Sequence, residues 1–181
     1  RAKGSERASI DPLTFPQGAI RMDRPFFSTF HVPGVEMPTA RVTRRVHFSA
    51  GHRLHNPSFD DERNRATYGL CNRPNGHGHN YDLEVTVEGE IDPVTGFVMD
   101  LKELKELLGR TVLADLDHSN LNVDVPWLDG VIPTTENLAV AIWERLDGQL
   151  GSGRLACVKL WETERNIVEY RGELEPGGTD D

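Results

Sequence analysis

His77 and His79 stand two residues apart in the run Cys71-Asn72-Arg73-Pro74-Asn75-Gly76-His77-Gly78-His79-Asn80-Tyr81. On an extended strand, side chains at i and i+2 point to the same face, so both imidazoles can reach one metal ion. Gly76 and Gly78 add no bulk beside them and let backbones approach closely. Cys71 lies upstream across Pro74-Asn75-Gly76, a turn signal that can fold the thiol back toward the histidines. A second histidine group precedes it in Phe48-Ser49-Ala50-Gly51-His52-Arg53-Leu54-His55. Three imidazoles with one position left open make the protein half of a catalytic zinc site. Structural zinc sites are closed and usually rich in cysteine; this chain has 2 cysteines, which favours an open, histidine-based site. The pair supplies two ligands and the upstream group a third, for which His52 stands at the end of its strand. His47 and His55 are the nearest competitors for the third place, the first facing away on its strand, the second displaced from the motif.

The elements that must position these groups follow from periodicity. Val42, Arg44, Val46 and Phe48 alternate with Thr43, Arg45, His47 and Ser49, which predicts a strand from Arg41 running toward His52. Residues 56–70 are polar and read as a loop with room for a short helix. A second strand follows the histidine pair, with Tyr81, Leu83, Val85 and Val87 on one face and Asp82, Glu84, Thr86 and Glu88 on the other. Run straight back, this register puts His77 and His79 on the Tyr81 side. Asp100 is a helix N-cap, and Leu101, Leu104, Leu107, Leu108 and Val112 form the stripe of a first helix ending near Leu116. Asp117-His118 follows; an adjacent Asp and His can orient one another, although the dipeptide by itself reads as a cap or turn. Thr134 or Thr135 caps a second helix, whose stripe is Leu138, Ala141, Ile142, Arg145 and Leu146. Two final strands, Leu155–Trp161 and Ile167–Arg171, are joined by a hairpin. Cys157, in the first of them, is expected to be an inert buried thiol. Glu162 ends that strand and by spacing alone reads as an exposed glutamate.

Composition narrows the function. The chain has 181 residues, 37% hydrophobic and 27% charged, with net charge −9. That profile fits one soluble domain, and the acidity argues against nucleic-acid or anionic-membrane binding. No apolar run reaches membrane-span length, and the first 30 residues carry no apolar core of a signal peptide. Two cysteines in unlike settings fit free thiols in a reducing cytoplasm. Residues 1–40 hold Pro12, Pro16, Pro25, Pro33 and Pro38, five of 11 prolines, and read as an extension. His31 within it has no partner motif. The domain is expected over residues 41–173, with an acidic tail at 174–181.

These motifs, in this order, resemble the 6-pyruvoyl-tetrahydropterin synthase family, which also contains the 6-carboxytetrahydropterin synthases of queuosine biosynthesis. The matching pieces are Phe48 through Leu54, Cys71 through Tyr81, Leu116-Asp117-His118-Ser119-Asn120-Leu121, Thr134-Thr135-Glu136-Asn137 and Trp161-Glu162-Thr163. Gly51 and Arg73 depart from the commoner residues of the family, and neither change removes a catalytic group. The resemblance implies an α+β tunnelling fold: a four-stranded antiparallel sheet with two helices on one face, assembling into a barrel as a trimer or hexamer. It implies active sites at subunit interfaces and Zn2+ held by His52, His77 and His79. It further implies Cys71 as catalytic base, Asp117 and His118 as the proton-handling pair, and Glu162 as pterin anchor, with Thr134, Thr135 and Glu136 nearby. The substrate it implies is 7,8-dihydroneopterin triphosphate, losing triphosphate as the ring is reduced at the expense of its side chain. No nicotinamide is needed, and no G-x-G-x-x-G fingerprint follows a strand. The five residues between Cys71 and His77 are like those of pyruvoyl-forming members, many queuosine-pathway members having a shorter gap. A glutamate variant that makes a folate precursor is disfavoured by Cys71. A non-catalytic metal- or pterin-binding protein on the same fold would need neither Cys71 nor the Asp117-His118 pair.

Overall fold

The computed structural model describes residues 37–172. The expected extension up to residue 36, with His31, and the tail at 174–181 lie outside the described residues. Two long strands form the frame. β1 (Thr39–His52) and β2 (His77–Glu90) pair antiparallel over their full lengths, from Thr39↔Glu90 to His52↔His77. β1 starts two residues before the expected Arg41, because its ladder with β2 extends to the end of that strand. The glycines introduce no bulge here: Gly51 pairs with Gly78, and register is continuous. β4 (Arg154–Trp161) pairs with β2, and β5 (Ile167–Tyr170) pairs with β4, both antiparallel. These are the four strands expected.

A fifth strand corrects that count. β3 (Ser119–Asn120) joins the outer edge of β1 in parallel at Ala50 and Gly51, giving the order β3-β1-β2-β4-β5. Two polar residues carry no strand signal; open backbone groups on the β1 edge recruit them. A further helix, α1 (Asp61–Tyr68), lies in the expected loop. Asp60 caps it by accepting from Arg63 N at 2.8 Å. The first predicted helix is present in three pieces: α2 (Leu101–Leu108), a π-helical turn (Gly109–Leu113) and α3 (Ala114–Leu116). Asp100 caps α2 through Lys102 N at 2.8 Å. The second, α4 (Thr135–Leu146), is capped by Thr134 through Asn137 N at 3.2 Å, which settles the choice between the two threonines.

The core lies between one face of the sheet and the helices. Phe48, Tyr81, Leu83, Val85, Val87, Val158 and Leu160 are buried against Leu104, Leu107, Leu108, Val112, Leu138, Ile142 and Leu146. α2 crosses β1, and α4 covers β4 and β5. The opposite face is a charge ladder: Arg45 with Asp82 (2.9 Å), Arg154 with Glu88 (2.7 Å), and Lys159 with Glu169 (2.7 Å). Cys157 belongs to this polar face. It pairs with Thr86 and alternates with the buried Val158 and Leu160, so it faces away from the core; the register shift between Thr86 and Val87 returns Leu155 to the core side. Half-buried beside Arg171 and Lys159, Cys157 is not the core thiol that its apolar neighbours predict. Burial and then Glu169 push its thiol pKa upward.

Candidate active site

The same-face rule brings three histidines together. His77 and His79 alternate with Gly78 on β2, and His52 ends β1 directly opposite His77. Their ring nitrogens all lie within 4.8 Å of one another, and His52 Nε2 and His77 Nε2 are 3.3 Å apart. Three requirements hold the geometry. Gly78 lets the strands sit close, since a Cβ there would press to 3.2 Å from Ala50 O. Gly76 takes φ +65°, and a Cβ on it would lie 2.5 Å from His52 O, so the turn into β2 needs glycine. The Nδ1–H of His52 donates to Pro133 O at 2.8 Å, which leaves Nε2 with a free lone pair aimed into the cluster.

Electrostatics favour neutral imidazoles at His52 and His79. Burial holds His52 below the usual histidine range, and the facing His77 and His79 rings add to this against the Pro133 hydrogen bond. Burial also lowers His79, opposed by the Glu162 carboxylate. His79 Nε2 is buried with no hydrogen-bond partner. Three convergent ring nitrogens, one of them orphaned, fit a bound metal cation. His47 and His55 do not join them. His47 is on the other face of β1 and exposed, while His55 Nδ1 accepts from Asn72 Nδ2 at 3.1 Å.

Glu162 lies just past β4, with its Oε1 3.8 Å from both His52 Nε2 and His79 Nε2. It is not the exposed glutamate that spacing alone suggests. Thr135 Oγ1 donates to Oε1 at 3.1 Å and Asn166 Nδ2 donates to Oε2 at 3.3 Å. Thr134 is occupied with capping, and Glu136 is exposed on the first turn of α4 without a polar contact to the cluster. Asn166 was not among the expected site residues; its position four after Glu162, in a hairpin, is the signal that could have suggested it.

Cys71 is half-buried in the turn after α1. Leu54 N donates to Cys71 O at 2.9 Å, Asn72 Nδ2 donates to Leu54 O at 2.7 Å, and Arg53 Nε donates to Asn72 O at 3.0 Å. The cysteine segment is thus laced to the three residues that follow His52. Buried Asn64 fixes the preceding loop by donating to the carbonyls of Asn56, Phe59 and Asp60.

Asp117 and His118 are placed elsewhere. Asp117 Oδ1 accepts from Ser49 N at 2.9 Å and lies 3.0 Å from His118 Nδ1. The Ser49 N–H, then His118, hold its carboxyl below the usual range. His118 N donates to Ser49 O at 2.6 Å, so the pair is fastened to the β1 edge. Its imidazole lines a depression of about 370 Å³ with Ser49, Gly51, Asn80 and Ser119. His79 is also in its lining, but Ser49, Gly51 and Asn80 alternate with Ala50, His52 and His79, so the three imidazoles lie on the opposite face, and the His118 side chain is 82% exposed. Among the described residues His118 is the one non-glycine with positive φ, at 61°.

A sequence model of the family described as 6-pyruvoyl tetrahydropterin synthase matches residues 41–173. The chain belongs to that family. Human 6-pyruvoyl tetrahydrobiopterin synthase is 52% identical over 134 residues, spanning 74% of this chain and 92% of the human protein. The Dictyostelium discoideum enzyme of the same name is 47% identical over 135 residues, spanning 75% of this chain and 98% of its own. Among solved structures, Caenorhabditis elegans 6-pyruvoyl tetrahydropterin synthase superposes with a TM-score of 0.73 at 39% identity, covering 77% of this chain and 99% of that one. The α+β architecture is therefore that of the synthase family, and its histidine cluster offers a place for a metal. Among the described residues no helix is long and apolar enough to cross a membrane.

Proposed function

We propose that this chain is a zinc-dependent 6-pyruvoyl-tetrahydropterin synthase, a lyase that eliminates triphosphate from 7,8-dihydroneopterin triphosphate. The observation that carries the reading is the 52% identity to the human enzyme of that name. The queuosine-pathway alternative is not favoured, because relatives at 47–52% identity are named as pyruvoyl-forming synthases.

The residues divide the work. His52, His77 and His79 are the zinc ligands, and zinc held there supplies Lewis acidity toward the hydroxyl oxygens of the substrate side chain. Cys71 takes a carbon-bound proton as its thiolate. Glu162 accepts two parallel N–H bonds from the amino-pyrimidine edge of the pterin, its carboxylate steadied by Thr135 and Asn166. Thr134 and Glu136, next to Thr135 at the start of α4, would flank the bound pterin. Asp117 orients His118 and stabilises its charged form, so that His118 can pass protons. The left-handed backbone at His118 supports a functional role, because such strain persists where surrounding structure enforces it.

Within one chain the sheet separates the Asp117-His118 pair from the histidine cluster. A homo-oligomer resolves this by letting one subunit present its pair to the site of the next. The open edges favour it: among the described residues no strand covers β1 from Thr39 to Phe48, nor the outer side of β5. Joining such edges into a trimeric barrel, with two trimers stacked as a hexamer, would remove them. A cytoplasmic location belongs to the same reading, since both cysteines are free thiols.

The test is incubation of the zinc-loaded protein with 7,8-dihydroneopterin triphosphate. The expected products are 6-pyruvoyl-tetrahydropterin and triphosphate. A carboxypterin with acetaldehyde, or no turnover, would overturn the reading.

A further inference from the structure

Among the described residues Tyr81 carries a polar atom that the contacts of the site leave unexplained. The residue is 1% exposed, yet its hydroxyl is buried with no hydrogen-bond partner. A buried O–H left unpaired is costly, and it calls for a specific cause. Packing alone would be served as well by phenylalanine, since the ring stacks on Phe48 with centroids 4.9 Å apart. The position of the ring is informative. Tyr81 continues the i, i+2 series of His77 and His79, and its centroid lies 5.6 Å from that of His79 and 6.5 Å from that of His52. The phenol ring therefore stands beside two of the histidines assigned to the metal.

We infer that Tyr81 is a ligand-contacting donor of this site: its hydroxyl gives a hydrogen bond to an oxygen of the substrate side chain held beside the histidines. The inference rests on the synthase reading above. A neutral donor suits the place, because it can stabilise charge gathering on that oxygen without competing with Cys71 for the proton. No bond to Tyr81 forms or breaks.

Tyr81→Phe tests this, because the two accounts of the hydroxyl predict different combinations. Deleting an orphaned polar atom should raise Tm by about 2–4 °C. If the hydroxyl contacts substrate, kcat should fall on the order of 10-fold or more with zinc content unchanged. That combination, a more stable and slower enzyme, is the expected result. A higher Tm with unchanged kcat and KM would overturn the inference, as would a lower Tm with unchanged turnover, which would show the hydroxyl paired inside the fold. Should the variant fold poorly, 3-fluorotyrosine placed at position 81 keeps the ring and strengthens the donor. It should tighten binding of a non-reacting dihydropterin that retains the side-chain hydroxyls, and unchanged affinity would overturn the inference. Wild-type turnover is the control: its absence fails the synthase reading, whereas equal turnover by wild type and Tyr81→Phe fails the Tyr81 inference alone.

Discussion

The histidine cluster and the Asp117-His118 corner lie on opposite faces of the same end of the sheet, and they are finished to different degrees. His52 is buried, its tautomer fixed by Pro133, and the neighbouring Glu162 is held on both oxygens. Asp117 and His118 are just as firmly tied through their backbone and the Ser49 N–H, but the His118 imidazole reaches into open space. Firm placement without burial is a costly arrangement for a residue with left-handed backbone. The difference suggests that one half-site is built to hold a ligand and the other to be presented to another molecule. Each can be broken separately.

The largest effect belongs to the buried half. His77→Ala or His79→Ala removes one of three nitrogens, and zinc affinity should fall by more than about 100-fold, beyond the usual cost of losing an outer-shell partner. Metal analysis after dialysis at fixed free zinc is the measurement. Full occupancy in both variants would end the ligand assignment. His118→Ala should leave zinc content at the wild-type level.

The next effect joins the halves. Cys71→Ala and His118→Ala should each lose about 10²- to 10⁴-fold in turnover. Co-expressed in equal amounts, they should recover about one quarter of wild-type activity if each site draws Cys71 and His118 from different subunits. A co-expressed mixture as inactive as its parents would place both groups in one chain. A strictly monomeric species by light scattering at micromolar concentration would contradict the shared site altogether.

Glu162→Gln probes the ligand-facing side of the buried half. Removing a charge-assisted, bidentate acceptor should cost roughly 2–4 kcal/mol of binding, about 30- to 1000-fold, for a non-reacting pterin. Thr135→Val removes only one donor to that carboxylate and should cost about 3- to 10-fold. Equal affinities of wild type and Glu162→Gln would reduce Glu162 to a neighbour of the histidines.

What could be read in advance divides along the same line. The buried half obeys the period of a strand: His77, His79 and Tyr81 share a face because side chains alternate, and two caps and two leucine stripes placed the helices. The exposed half depends on backbone groups. β3 exists because the β1 edge offers free N–H and C=O groups at Ala50 and Gly51, and nothing in Ser119-Asn120 announces it. Cys157 was misjudged because the apolar run around it hides the alternation: Val158 and Leu160 face the core, which turns Cys157 outward, and the register shift that also buries Leu155 breaks the period the sequence would show. The contacts between Asn72 and Leu54, and between Asn166 and Glu162, come from amides in polar turns, where side-chain partners have no periodicity to reveal them.

The smallest effect concerns what fastens the exposed half. Two partners hold the Asp117 carboxylate, the Ser49 N–H first and His118 second. Its depressed pKa means that the unfolded chain takes up a proton before the folded one does. Its contribution is therefore present above the ordinary carboxylate range and is lost as the pH falls below about 3.8. The side chain is 42% exposed, so solvent screens the effect, and Asp117→Asn should lower Tm by no more than about 2 °C at neutral pH. Urea midpoints of wild type and Asp117→Asn should differ by a constant amount from pH 5 to pH 8 and converge only below about pH 3.8. Because the backbone N–H does not titrate, the gap should survive where any histidine partner has become neutral. A gap that closes well above about pH 3.8 would transfer the support from Ser49 to a partner that itself loses charge. The exposed corner would then be held by its own ion pair rather than by the edge of β1.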